Sequence, residues 1–91
     1  MLYMVHMIVD IPSSVDKALA ERLKFEEKQY SQELQRAGKW VHIWRVVGEY
    51  ANYSIFDAES NDELHDMLSQ LPLFPYMQLT VTPLAAHPSA L

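Results

Sequence analysis

The order in which strand-like and helix-like segments alternate is the strongest constraint on how this chain can fold. Residues 2–11 are rich in β-branched and aromatic side chains and run into a proline and two serines, a pattern that predicts a strand followed by a turn. The segment 16–37 contains neither glycine nor proline. Ser13 or Ser14 can cap its start, and Gly38 is suited to end it, so the sequence predicts a long first helix.

Two further strands are predicted in the middle of the chain. Residues 40–47 and 50–56 are aromatic and β-branched runs separated by Gly48 and Glu49. So short a glycine-containing connection is typical of a tight β-hairpin, which makes these two strands antiparallel neighbours.

A second helix and a last strand complete the pattern. Ser60 and Asn61 are suited to cap a short amphipathic helix that ends before Pro72, and residues 76–82 read as a strand. The resulting order is β-α-β-β-α-β. This order predicts an α+β, ferredoxin-like domain over residues 1–91, with a four-stranded antiparallel sheet and both helices on one face.

The other face of the sheet is left uncovered, and alternate residues predict which side chains lie on it. One alternating set is nearly all apolar, with Arg45 as the exception, and is expected to pack under the helices: Tyr3, Val5, Met7, Val9, Val41, Ile43, Val47, Ala51, Tyr53, Ile55, Met77, Leu79 and Val81. The other set is aromatic and polar and is expected on the open face: Leu2, Met4, His6, Ile8, Trp40, His42, Trp44, Tyr50, Asn52, Ser54, Phe56, Tyr76, Gln78 and Thr80. A β-bulge would reverse the assignment. Such a face predicts an interface or a ligand groove.

The residue types that the chain contains limit the kinds of catalysis that it could perform. The chain has no cysteine, which excludes disulfides, thiolate metal sites and cysteine nucleophiles. Its four histidines, His6, His42, His65 and His87, are scattered without metal-ligand spacing, so no metal and no cofactor are expected. Carboxylates, histidines, basic residues and tyrosines remain, and these residue types carry acid–base chemistry.

The net charge and the hydropathy of the chain limit the classes of partner that it could bind. Twelve acidic residues against seven basic ones give a net charge of −5, which argues against a nucleic-acid partner. The apolar N-terminal run is interrupted by Asp10 and Pro12 and is too short for a membrane span, so we expect a cytoplasmic protein. A domain of this size buries a modest share of its surface, and self-association is the expected source of extra stability.

Two adjacent carboxylates on the first helix are candidates for a general base. Glu26 and Glu27 lie at opposite borders of the apolar stripe, where partial burial would raise a carboxyl pKa. The alternative is that both are solvated and interact with Arg22, Lys28 or Tyr30 at helical spacing.

Other candidates lie on the strands and in a loop. His42 and Trp44 share one strand face and could line a pocket, although a core histidine satisfied by a backbone carbonyl is the commoner case. Arg45 on an apolar face would need an anion, either a glutamate or a substrate carboxylate. The Pro-flanked run 71–76 is either a core plug or a pocket wall.

Several stretches resemble the muconolactone isomerase family, and together they cover essentially the whole chain. The most distinctive are the run from Tyr50 to Phe56 and the run from Leu71 to Met77. The full set of matching motifs, in chain order, is Leu23-Lys24-x-x-Glu27-Lys28, Trp40-x-His42-x-Trp44-Arg45-x-x-Gly48-x-Tyr50-Ala51-Asn52-Tyr53-Ser54-x-Phe56-Asp57, Leu64-His65-Asp66, Gln70-Leu71-Pro72-Leu73-Phe74-Pro75-Tyr76-Met77 and His87-Pro88-Ser89.

The resemblance implies a dimeric α+β barrel whose subunits pair sheet to sheet and assemble further, the family pattern being a decamer of five dimers. It also implies the isomerisation of muconolactone to 3-oxoadipate enol-lactone, a step of catechol breakdown through the β-ketoadipate pathway, without a cofactor. On this basis Glu27 is the expected base, and Lys24, His42, Arg45 and Tyr53 are candidates for the donor to the dienolate oxygen and for the cation that binds the substrate carboxylate. The expected site is, for catalysis, Glu27, Lys24 and His42, and for substrate binding, Arg45, Tyr53, Trp44, Asn52 and Phe74.

Other activities remain open from the residues alone. A related dimeric barrel could be a methylmuconolactone isomerase or a cofactor-free monooxygenase, which a substrate panel and oxygen consumption would distinguish. The aromatic sheet face could also belong to a non-catalytic module that binds a small aromatic molecule or only a second copy of the chain.

Overall fold

The computed structural model describes residues 1–91 and confirms the β-α-β-β-α-β order. The strands form one antiparallel sheet in the order β2-β3-β1-β4, so the first strand lies in the centre next to the last. The elements are β1 (Leu2–Val9), α1 (Lys17–Arg36), β2 (Trp40–Arg45), β3 (Ala51–Asp57), α2 (Asn61–Ser69), a single 3₁₀ turn (Phe74–Tyr76) and β4 (Met77–Leu84).

The ends of α1 follow local backbone chemistry. The Asp16 carboxylate accepts the Leu19 N–H at 3.1 Å and caps the helix. The prediction of a serine cap was wrong, because Ser13 and Ser14 are used in the preceding turn. Gly38 follows the helix with φ +75°, a conformation that disfavours residues with a Cβ, and the prediction that it ends α1 is confirmed.

The predicted hairpin is present, but its connection is residues 46–50 and not Gly48 and Glu49 alone, and the second helix begins at its predicted cap. Gly48 has φ +81° in the turn between β2 and β3, where the Glu49 N–H donates to the Val46 carbonyl at 3.2 Å. The Ser60 hydroxyl accepts the Glu63 N–H at 3.1 Å and caps α2.

The hydrophobic core lies mainly between the sheet and α2. Its ten fully buried members come from β1, the ends of β2 and β3, and α2 with its flanking residues: Tyr3, Val5, Met7, Trp40, Phe56, Ala58, Leu64, Met67, Leu68 and Leu71. By contrast α1 contains no fully buried residue. It contacts the core through Tyr30 and Leu34 in its C-terminal half, and the Tyr30 hydroxyl donates to the Met67 carbonyl at 2.9 Å. This arrangement leaves space between the middle of α1 and the sheet.

Strand register decides which side chains face that space, and it corrects the predicted faces. Phe56, Ser54 and Asn52 pair with the core residues Tyr3, Val5 and Met7 and therefore face the helices. Tyr53 and Ile55 lie on the open face instead, so the alternation assigned to β3 was wrong. In β2 a register shift between Trp40 and His42 returns Trp40 to the helix side, together with Ile43 and Arg45. The alternation predicted for β1 and β4 agrees with the structure.

The open face carries large side chains that no part of this chain covers. Trp44 is 55% exposed and Tyr53 is 42% exposed. The His6 ring stacks on Tyr53 with ring centres 4.4 Å apart. Only 14 of the 91 residues are fully buried, so the core of the single chain is small. Neither helix combines the length and the apolar character that crossing a bilayer requires.

Candidate functional site

A cavity of about 220 Å³ lies between the middle of α1 and the helix-facing side of the sheet. It continues into a second hollow of about 280 Å³ that shares five of its lining residues, on the side of the β2–β3 hairpin. The cavity is lined by Val9, Lys24, Glu27, Lys28, Ser31, Trp40, Ile43, Arg45, Tyr50, Asn52, Leu73 and Met77. Apolar walls with a few charged groups are typical of a small-molecule site.

Glu27 supplies the one carboxylate of this cavity. Its Oε1 accepts the backbone N–H of Leu73 at 2.9 Å, across 46 residues of sequence. Burial raises the pKa of the Glu27 carboxyl above its ordinary value, and the Leu73 hydrogen bond lowers this pKa by a smaller amount. One oxygen is therefore held in place, and the group is more basic than a solvated glutamate. These are the properties of a positioned proton acceptor.

The two adjacent glutamates have different environments. Glu26 is exposed and lies 3.8 Å from Arg22, one turn away, as expected for a surface pair. Glu27 has no ion-pair partner within 4.0 Å. The alternative that these glutamates are solvated surface residues is therefore correct for Glu26 and not for Glu27.

Three cationic side chains, Lys24, Lys28 and Arg45, line the cavity and could bind an anion. Arg45 lies on the helix-facing side of the sheet, as the alternation predicted, but its side chain is exposed, and its guanidinium lies 5.4 Å from the centre of the Tyr50 ring. No carboxylate pairs with Arg45, so its charge is available to a ligand. Lys24 lines the same cavity and lies 3.6 Å from Glu21 at the surface.

The predicted site residues fall into two groups. Glu27, Lys24, Arg45 and Asn52 line the cavity. Phe74 lies half-buried against the core, next to Leu73. The remaining three, His42, Trp44 and Tyr53, are on the opposite face of the sheet, where His42 stacks on Trp44 with ring centres 5.0 Å apart. The structure does not bring these three side chains to the cavity.

Sequence reasoning missed several lining residues. Trp40 was assigned to the open face because regular alternation does not include the bulge in β2. Its indole N–H is buried without a hydrogen-bond partner. Leu73 contributes a backbone group, which no side-chain motif reveals, although the Pro-flanked loop around it had been noticed as a possible wall. Strand alternation had assigned Tyr50 to the open face of the sheet.

The arrangement suits proton transfer on a small anionic molecule. A carboxylate of raised pKa, three nearby cations and apolar walls supply a base, an anion anchor and partial exclusion of water. No three His, Cys, Asp or Glu side chains lie close enough together to form a metal-binding group.

Comparison with known proteins shows the family of this chain. The family model described as muconolactone delta-isomerase matches residues 1–90. A muconolactone Delta-isomerase of Cupriavidus pinatubonensis is 59% identical over all of this chain and 99% of its own length. Muconolactone Delta-isomerase 1 of Acinetobacter lwoffii is 59% identical over all of this chain and 95% of its own length. A crystal structure of muconolactone isomerase superposes with a TM-score of 0.94 at 53% identity, covering 99% of this chain and 94% of that one. The chain belongs to the muconolactone Δ-isomerase family.

Proposed function

We propose that this protein is a cofactor-free muconolactone Δ-isomerase, an intramolecular oxidoreductase that converts muconolactone to 3-oxoadipate enol-lactone in catechol degradation through the β-ketoadipate pathway. The observation that supports this activity most directly is the half-buried Glu27 carboxylate, held by the Leu73 N–H in a cavity lined by three cations. The relatives, which match over their full lengths, carry the same name. A cytoplasmic location is part of the proposal.

The reaction requires one proton to move between two carbons of the lactone ring. Glu27 takes the proton from the ring carbon that bears the carboxymethyl group, and the electron pair of that C–H bond enters a dienolate whose charge spreads onto the lactone carbonyl oxygen. The protonated Glu27 then returns a proton two carbons away, and the double bond ends up at the carbon that was first deprotonated. No electrons leave the substrate, so atoms and charge balance without an oxidant.

The other groups of the cavity have supporting roles in this proposal. Arg45 and Lys24 bind the substrate carboxylate, because they are the cations of the predicted set that line the cavity. Phe74 supports the wall that contains Leu73. His42, Trp44 and Tyr53 act in the contact between subunits, since they lie on the sheet face away from the cavity.

Replacing Glu27 by Gln removes the base but keeps an acceptor for the Leu73 N–H. We expect turnover to fall by about 10²–10⁴-fold, the usual contribution of a general base. Proton NMR in D₂O measures both the conversion of muconolactone and the entry of deuterium into the ring. The matched control is Glu26→Gln, which changes the exposed neighbour and should retain normal turnover. A folded Glu27→Gln protein with near-normal turnover would contradict the assignment.

The raised pKa of Glu27 sets the acid side of the pH profile. Glu27 acts as a base only when ionised, so kcat/KM should fall about tenfold per pH unit below a pKa that lies above the ordinary 4.5. The same shift affects stability with the opposite trend. The folded state holds this proton more tightly than the unfolded state, so the contribution of Glu27 to the unfolding free energy decreases as pH rises from 4.5 through the raised pKa.

Two measurements check this pair of trends: the pH dependence of kcat/KM, and denaturant unfolding of the wild type and Glu27→Gln over the same pH range. The Gln variant should gain stability relative to the wild type as pH rises to neutrality. If kcat/KM begins to fall only at or below pH 4.5, the base is not a desolvated Glu27 carboxylate.

Removing the Arg45 guanidinium tests whether this group binds the substrate carboxylate. Arg45→Ala should raise KM by about tenfold or more with a smaller change in kcat, because a group that holds the substrate equally before and during reaction contributes uniform binding. Arg36→Ala, on the exposed last turn of α1, is the control for loss of one positive charge. Unchanged KM in the Arg45 variant would exclude the anchor role and leave Lys24 and Lys28 as the remaining cations of the cavity.

We further propose that the open face pairs with the same face of a second copy, and that such dimers assemble further, to a decamer. The exposed Trp44 and Tyr53 and the small core of the single chain support this arrangement. Trp44→Glu should therefore dissociate the assembly, measured by sedimentation velocity, because it would bury a charge without a partner. The control is Phe25→Glu, an equally drastic change at an exposed aromatic residue of α1. A Trp44→Glu protein of wild-type mass would contradict face-to-face pairing.

A further inference from the structure

Ser54 is the only polar residue among the fully buried side chains of this protein. It lies in β3 opposite Val5, in the apolar layer under the helices, with no exposed surface. A hydroxyl in such a place is unfavourable unless it is hydrogen-bonded, and an alanine would fill nearly the same volume. The Ser54 Oγ donates to Oδ1 of Asn52 at 2.7 Å. The buried hydroxyl is thus satisfied by a side chain that lines the cavity.

This hydrogen bond determines which end of the Asn52 amide is free. The amide oxygen is occupied by Ser54, and the amide nitrogen has Met7 Sδ at 3.6 Å as its only partner. A thioether sulfur is a weak acceptor, and an amide nitrogen carries two hydrogens, so the nitrogen keeps unused donor capacity. Asn52 also lies directly opposite Arg45 across β2 and β3, beside the proposed carboxylate anchor.

The two neighbours act together on the amide. Ser54 could accept as well as donate, so by itself it would tolerate either orientation of Asn52. Met7 resolves this ambiguity, because its electron-rich sulfur favours the NH₂ end over the amide oxygen. In the opposite orientation the amide oxygen would be the group left for the cavity, and it would repel the negative charge of a dienolate.

We propose that Ser54 is a positioning residue that fixes the Asn52 amide with its NH₂ group available to the lactone carbonyl oxygen, where dienolate charge accumulates. This inference rests on the proposed isomerase activity and adds the donor that the reaction needs. Asn52 contacts the substrate, and Ser54 acts through Asn52.

The experiment is a double-mutant cycle of Ser54→Ala and Asn52→Ala, with steady-state kinetics on muconolactone. Asn52→Ala should lower kcat by about 10²-fold, the lower end of the effect of removing one oxyanion donor. Ser54→Ala leaves the amide in place but free to rotate, and should lower kcat by about tenfold with little change in KM. In the Asn52→Ala background, Ser54→Ala should have no further effect, because the group it positions is absent.

Two controls separate positioning from folding. Ser54→Thr keeps the hydroxyl and should restore most of kcat, whereas Ser69→Ala removes an exposed hydroxyl from α2 and should change nothing. Thermal unfolding of each variant checks that the fold is retained. An equal loss of kcat from Ser54→Ala in both backgrounds would mean a structural role and overturn the inference, as would wild-type kcat in Ser54→Ala or Asn52→Ala.

Failure of the inference is distinguishable from failure of the proposed function. If Glu27→Gln is inactive while Ser54→Ala is normal, the isomerase proposal stands and the positioning role falls. If Glu27→Gln is active while the cycle shows full coupling, the base assignment falls and the positioning role stands. Absence of isomerisation by the wild-type protein overturns both.

Discussion

One hydrogen bond, from the Leu73 peptide N–H to the Glu27 carboxylate, connects α1 to the loop between α2 and β4, and the geometry of the cavity depends on it. Because α1 has no fully buried residue, apolar packing alone does not press its middle turns onto the sheet. The carboxylate is therefore half-buried at the edge of an open space. Desolvation raises its pKa and the peptide N–H limits that rise, which keeps the group ionisable and fixed in direction.

The sheet divides the molecule into two chemically different surfaces. Its helix-facing side combines the core with the cavity, where Glu27, Arg45 and Asn52 meet. The opposite side carries stacked histidine and aromatic rings such as His6 on Tyr53. The proposed ligand site and the proposed association surface can thus coexist on a small domain, because neighbouring side chains of a strand point to opposite faces.

Much of the fold followed from local patterns. The strand and helix segments, the glycine that ends α1 and the serine that caps α2 were all predicted, because each depends on residues within a few positions. The cap of α1 was not predicted, because Asp16 caps this helix in place of the two nearby serines. Within the cavity, the border of the apolar stripe made Glu26 and Glu27 candidates, and the family resemblance selected Glu27. The contribution of Leu73 had no signal, because any residue type except proline presents a backbone N–H.

By itself the sequence determined the order of elements, the absence of cysteine chemistry and the short set of residues able to move a proton. Only the tertiary structure decided which of them meet. A bulge in β2 and the pairing of β3 with β1 brought Asn52 and Trp40 to the cavity and left Tyr53 on the far side. The physical reason is that side chains alternate with a period of two. A shift of one residue in strand pairing therefore exchanges the faces, and this shift depends on contacts between segments that are distant in the chain.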